Sequence, residues 1–152
     1  INRINTITEN YSEKIKKSNE RKAGAGALVP IMKEMAEELM PVATDYKSQY
    51  DKYAECLYGI DKNVRYVITI SKDPSFQSDQ SNQLLDSVRT LQNNSQIARG
   101  GIRKFLDAVV RDQKMSRELR KPLKIIESAS VAFIGSCDVI DGWAKLAGED
   151  AA

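Results

Sequence analysis

The fold is decided by the stretch LLDSVRTLQNNSQIARGGIRKFLDAVV, residues 84–110. Apolar or small residues recur through it in strict 4–3 alternation, at Leu84, Val88, Leu91, Ser95, Ala98, Ile102, Phe105 and Val109. This is the period of an α-helix that buries one face, whereas a half-buried strand alternates every second residue. The stretch therefore predicts a long amphipathic helix, with bounds near residues 81–114.

The segment before it carries the same period over a greater length. Its apolar stripe consists of Leu28, Met32, Met35, Leu39, Val42, Tyr46, Tyr50, Tyr53, Leu57, Ile60, Val64 and Val67. We expect a helix over residues 28–71. Pro41 lies inside it, and an interior proline removes a hydrogen bond and clashes with the preceding turn. The sequence therefore predicts a kink near Pro41.

The end of this second helix has an alternative. Residues 64–70, VRYVITI, are rich in β-branched side chains, which are also typical of a strand. A strand needs a partner, and the chain has no second run of this kind, so we favour the helix. Asp73-Pro74 then ends it, since the residue before a proline avoids helical geometry. The following Ser and Asp residues offer caps for the next helix.

Two further helices complete the predicted fold. The first covers residues 1–23 and ends at Ala23-Gly24-Ala25-Gly26, and the last covers residues 117–147 after a turn at Met115-Ser116. Four helices with short connections pack most simply as an antiparallel bundle. We therefore predict a single all-α domain, an elongated antiparallel four-helix bundle. The chain begins at Ile1 rather than Met. A domain excised from a longer chain is therefore a further interpretation.

The last helix has a second uncharged stripe that we expect its neighbours to lack. The stripe again follows 3–4 spacing and includes Ile125, Ala132, Gly135, Val139, Gly142 and Leu146. One interpretation is that this helix is central in its own bundle and packs between two neighbours. Another is that the stripe is an interface with a partner or a second copy. A third is a surface that meets a membrane, where small residues also mediate packing.

Tyrosines and the single tryptophan are the other candidate contact residues. Tyr46, Tyr50 and Tyr53 recur at helical spacing, which suits either a core layer with hydroxyls reaching water or a ligand or partner groove. Trp143 lies near the end of the last helix. It suits either a cap on the bundle end or an interface anchor.

Composition excludes several kinds of chemistry. The 152 residues contain no histidine, which removes imidazole acid–base catalysis and every His-ligated metal site. We find no phosphate-binding loop, dinucleotide fingerprint or nucleophile elbow. We therefore expect that the protein is not an enzyme and has no cofactor and no metal site. Cys56 and Cys137 fit no metal spacing. We expect both to be small buried residues, with a disulfide or a reactive thiol as alternatives.

These observations favour a non-enzymatic helical protein-interaction or oligomerisation module that associates through its last helix. A net charge of +2 argues against a nucleic-acid partner. One alternative is an extracytoplasmic ligand-sensing bundle of a membrane receptor, and another is a helical membrane-active protein of the pore-forming type. Neither a signal peptide nor an apolar run long enough to span a membrane is expected in the chain, and its localisation is left open.

Overall fold

The computed structural model describes residues 1–20, 25–111 and 117–148. These residues form four α-helices, which are α1 (Asn2–Glu20), α2 (Leu28–Lys72), α3 (Asp79–Phe105) and α4 (Arg120–Gly148). No strand occurs among the described residues, so the predicted all-α class and four-helix bundle are confirmed. Residues 64–70 belong to α2 and are helical rather than extended.

The connection between α2 and α3 follows from its capping residues. α2 ends at Lys72, and the Asp73 carboxylate then accepts a hydrogen bond of 2.9 Å from the Ser75 backbone N–H. This caps the short 3-10 turn Pro74–Phe76. The Ser78 hydroxyl accepts one of 3.2 Å from the Ser81 N–H in the first turn of α3. Both caps satisfy N–H groups that a helix start leaves without partners.

Other predicted boundaries have mixed outcomes. α2 runs through Pro41 without interruption, while a bend at that residue stays a prediction. A 3-10 turn, Ala25–Ala27, precedes α2, and a π-helical segment, Leu106–Arg111, directly follows α3. Three predicted features lie outside the described residues: the end of the first helix at residues 21–24, the turn at residues 115–116 and the last residues of the third helix.

Contacts along the helices give their directions. Arg3 and Lys14 of α1 pair with Asp45 and Glu34 of α2 at 3.4 and 3.7 Å, so these two helices are antiparallel. α2 and α4 run in the same direction, since within unit 2 the Tyr53 ring packs against Phe133 and the Trp143 indole N–H donates to Asp61.

α3 runs opposite to α4. Gln92 reaches Asp141, and Arg99, two turns further along α3, reaches back to Asp138 as well as Asp141. These directions are those of an up–down–up–down helical bundle.

The chain divides into two compact units. Unit 1 comprises Ile1–Tyr50 and Arg103–Val131. Its core brings together side chains of α1, the first part of α2 and the start of α4, with Phe105 from the end of α3. The buried members are Ile4, Tyr11, Met35, Leu39, Val42, Ala43, Tyr46, Phe105, Leu119, Leu123, Ile126 and Ala129.

Unit 2 comprises Asp51–Ile102 and Ala132–Ala152. Its core is built from the second part of α2, from α3 and from the second part of α4. The buried members of its cluster are Leu57, Ile68, Val88, Ile140, Trp143, Ala144 and Ala147. That cluster is smaller than the one in unit 1. The prediction that the chain is a single domain stays a prediction.

Candidate interaction surface

The second stripe predicted on α4 is largely occupied by contacts within each unit. In unit 1, Ile125 is half-buried and packs against the core. In unit 2, Val139 and Leu146 do the same against the core of that unit. These contacts support the interpretation that α4 is central in the bundle, and they leave little of the stripe for a partner.

The small residues of that stripe have different surroundings. Ala132 is half-buried and Gly135 is exposed, with open space where its side chain would begin. Gly142 instead lies under the guanidinium of Arg65, and a Cβ built there would collide with that group. Gly142 therefore contacts a side chain of its own unit, and a larger residue at this position would require the Arg65 guanidinium to shift.

The candidate tyrosines of unit 1 belong to the core. Tyr46 is buried, and its hydroxyl and that of Ser130 lie 2.6 Å apart in a hydrogen bond. Burial raises the pKa of Tyr46 to about 12, so the phenol is neutral at ordinary pH. The Tyr50 ring packs edge-on against it, with centroids 4.4 Å apart, and burial raises the pKa of Tyr50 as well. These contacts favour the core-layer interpretation.

Trp143 and Tyr53 hold α4 to α2 within unit 2. The Trp143 indole N–H donates to the Asp61 carboxylate at 2.6 Å, and the Arg65 guanidinium donates to the same oxygen at 2.9 Å. The Trp143 hydrogen bond, aided by Arg65, keeps the pKa of Asp61 below its ordinary value against the opposing effect of burial. Tyr53 is partly exposed and its ring lies 5.4 Å from that of Phe133. Trp143 itself is buried.

A second uncharged stripe lies on α2 within unit 2. It follows 4–3 spacing and is exposed except at its last residue, which is half-buried. Its members are Cys56, Ile60, Asn63, Val67 and Ile70. Ile60 and Val67 were expected in the core, yet they are 41% and 46% exposed. Cys56 is a free, exposed thiol, so the expectation that it is buried is wrong, whereas Cys137 is buried and free.

α3 carries a matching stripe within the same unit. Its members are Leu84, Ser87, Leu91, Asn94 and Ala98, again at 3–4 spacing. Leu84 is half-buried and the other four are exposed, including Leu91 at 41%. The Ser87 hydroxyl donates to the Gln83 carbonyl in its own helix at 2.8 Å, so this donor is already satisfied. We call these ten residues of α2 and α3 the α2–α3 face.

A groove marks the line where the two stripes meet. It has a volume of about 200 Å³ and is lined by Asn63, Val64, Val67, Ile68, Leu84 and Val88. Below it, Ile68 and Val88 belong to the core of unit 2. The α2–α3 face is therefore continuous with that core and forms its uncovered side.

Charged side chains of the two helices lie away from this face. On α2, Arg65 pairs with Asp61, and on α3, Arg89 pairs with Asp86 at 3.5 Å. Arg99 points towards α4, where its hydrogen bond to Asp141 raises the pKa of the guanidinium above its ordinary value. The ten residues of the face include no Asp, Glu, Lys or Arg. An uncharged, partly apolar surface of this size is typical of a docking site.

This face was missed because Ile60, Val67, Leu84, Leu91 and Ala98 were predicted to belong to the buried stripes of α2 and α3. The sequence did contain the signal, since residues 56, 60, 63, 67 and 70 are free of charge and in phase. The exposure of that stripe is not written in the sequence, because it depends on how many helices pack at that level of the bundle.

The described residues were also compared with the requirements of a metal site and of a membrane-spanning helix. Within them, no group of three or more His, Cys, Asp or Glu side chains is placed to hold a metal ion. No helix in residues 1–20, 25–111 and 117–148 is both long and apolar enough to cross a membrane. Comparison with protein-family models, curated proteins and solved structures finds no match for the chain. Function is therefore inferred from the geometry.

Proposed function

We propose that the chain is a non-enzymatic helical protein-interaction module that docks its partner on the α2–α3 face. One observation carries the proposal. Ile60, Val67 and Leu91 occupy core positions of the helical pattern and are nevertheless 41%, 46% and 41% exposed. The proposal thus moves the interface from α4, whose second stripe is largely used within each unit, to α2 and α3.

The energetic reason is the apolar area that these side chains leave in water. Covering the remaining exposed part of each one is worth on the order of 1 kcal/mol, at about 25 cal/mol per Å². Covering all three supplies a useful share of the free energy of a reversible complex. A helix laid along the groove between α2 and α3 would do this with i, i+3 and i+4 anchors, the usual mode by which a helix occupies a groove.

Charging the face provides the test. Val67→Glu places a charge at the centre of the α2–α3 face, and Tyr58→Glu places one on the opposite side of the same helix, nine residues away. Tyr58 is 59% exposed, so the two sites are matched in accessibility. Both variants are predicted to keep the wild-type thermal unfolding midpoint within a few degrees, because neither side chain is buried.

Binding of the dye anilinonaphthalene sulfonate, which reports accessible apolar surface, gives the second readout. At submicromolar chain concentration we expect the native protein to bind the dye, Val67→Glu to lose the signal severalfold and Tyr58→Glu to retain it. If Val67→Glu instead lowers the unfolding midpoint steeply, residue 67 is packed inside the fold and the proposal is wrong. The ligand-sensing and membrane-active alternatives stay predictions.

A further inference from the structure

We infer that the occupant of the α2–α3 face is a second copy of this chain, docked through the same face. The inference rests on the proposed function and names its partner. Two copies related by a twofold axis would place each α2–α3 pair against the other, so that four helices enclose the apolar groove. An interface of this kind requires only that the surface be complementary to itself.

The absence of charge on the face selects the kind of partner. A nucleic acid, an anionic membrane surface or an acidic peptide gains its affinity from basic side chains, and none of the ten residues of the face is basic. A charged protein surface would lose hydration here without gaining an ion pair. A second copy brings an uncharged surface and leaves no buried charge.

The polar residues of the face are also suited to hydrogen bonding with the same residues of a second copy. Asn63 and Asn94 are exposed. Each carries an amide that both donates and accepts, so two such groups satisfy each other across a twofold axis. Ser87 needs no partner, because its hydroxyl already donates to Gln83. The face therefore buries few polar groups that a copy cannot satisfy.

The size of the face sets the expected strength. Each stripe spans fifteen residues, from Cys56 to Ile70 and from Leu84 to Ala98, and its two end residues are about 21 Å apart at about 1.5 Å per residue. Two adjacent helices are about 20 Å wide. A pair of copies would bury on the order of 1,000 Å² in total, at the low end of specific interfaces. We therefore expect a reversible dimer with a dissociation constant of about 1 to 100 µM.

Molar mass measured by light scattering over a range of chain concentrations tests the inference. The native chain should rise from 17.0 kDa towards twice that mass as its concentration increases. Val67→Glu buries two like charges per dimer and should weaken association by about 100-fold or more, while Tyr58→Glu stays close to native. Because the face is uncharged, the dissociation constant should change less than about twofold between low and moderate salt.

The outcomes separate the inference from the proposed function. A native chain that stays at 17.0 kDa at every concentration overturns the second copy as occupant. If that monomer still binds the dye through residue 67, the proposed docking face stands and only the second copy as its occupant is overturned. A dimer that Val67→Glu leaves intact, or that Tyr58→Glu disrupts equally, places the interface elsewhere and overturns the inference as well.

Discussion

α2 carries one apolar stripe through both units, and the two units cover it differently. Leu39 in unit 1 and Ile60 in unit 2 both belong to this predicted stripe, although Ile60, 21 residues further on, lies about 60° around the helix from Leu39 at about 3.6 residues per turn. Leu39 is fully buried in a cluster that includes Ile4 and Tyr11 of α1, whereas Ile60 is 41% exposed. The pattern specifies the apolar side of a helix, and the number of neighbouring helices decides whether that side is covered.

The units also differ in the glycine content of their helices. In the described part of the chain, the glycines in the interior of α-helices all lie in unit 2, at residues 59, 100, 101, 135 and 142. Each helix-interior glycine costs up to about 1 kcal/mol relative to alanine. A partner on the α2–α3 face would cover the unit whose helices contain these glycines.

The largest expected effect comes from a matched pair of substitutions on α2. Leu39→Ala should lower the free energy of unfolding by about 3 kcal/mol, because it leaves a cavity in a closed core. Ile60→Ala should lower it by less than about 1 kcal/mol, because much of that side chain is already in water. Urea unfolding followed by circular dichroism compares the two. Equal losses would mean that the stripe is covered alike in both units.

Acid is expected to weaken unit 2 before unit 1. Asp61 holds Trp143 in unit 2, and its folded-state pKa lies below the ordinary value of 3.8. The stabilisation from the Asp61–Trp143 hydrogen bond is fully present above pH 3.8. It is lost as the pH falls from 3.8 through the lower pKa of Asp61 in the folded state. In unit 1, the Tyr46–Ser130 pair is neutral over this range, since the pKa of Tyr46 is raised to about 12.

The single tryptophan makes the acid effect measurable. The fluorescence of Trp143 should report an early loosening of unit 2 below pH 3.8, before the bulk loss of helix seen by circular dichroism. Asp61→Asn serves as the control. It removes the titrating group, so its stability should vary less with pH over this window. An unchanged acid profile in that variant would show that Asp61 does not anchor Trp143.

The smallest expected effect distinguishes α4 from the α2–α3 face. Gly135 is exposed, and a Cβ at this position would meet no atom within 4 Å. Gly135→Ala should therefore stabilise the protein by up to about 1 kcal/mol through helix propensity alone. Because the proposed docking surface lies on α2 and α3, the self-association of the Gly135→Ala variant should be the same as that of the native chain. A Gly135→Ala variant that no longer associates would return the interface to α4, as the sequence first suggested.

Local patterns predicted much of the fold. In and just before α4, a stripe with 4–3 spacing is visible in the sequence, and every member is buried: Leu119, Leu123, Ile126, Ser130, Phe133, Cys137, Ile140 and Ala144. The Ser78 cap and the end of α2 before Pro74 also follow from local chemistry. In these cases the deciding physics lies within one helix or one turn.

The candidate site depended on contacts that no local pattern encodes. Trp143 and Asp61 are 82 residues apart, and their hydrogen bond depends on the register of α4 against α2. The exposure of Ile60 and Leu91 depends on which helices pack beside them in unit 2. The sequence spacing places each stripe of the α2–α3 face on one side of its helix. The packing of unit 2 then leaves most of both stripes exposed to solvent.

The rate at which Cys56 reacts with a thiol reagent tests the central claim most directly. Cys56 is free and exposed on the α2–α3 face, and Cys137 is free and buried, so a small alkylating reagent should report on Cys56 first. We predict that the rate at Cys56 falls as the concentration of native chain rises, and that Val67→Glu abolishes this dependence. A rate that stays constant while the molar mass doubles would contradict the assignment of this face as the interface.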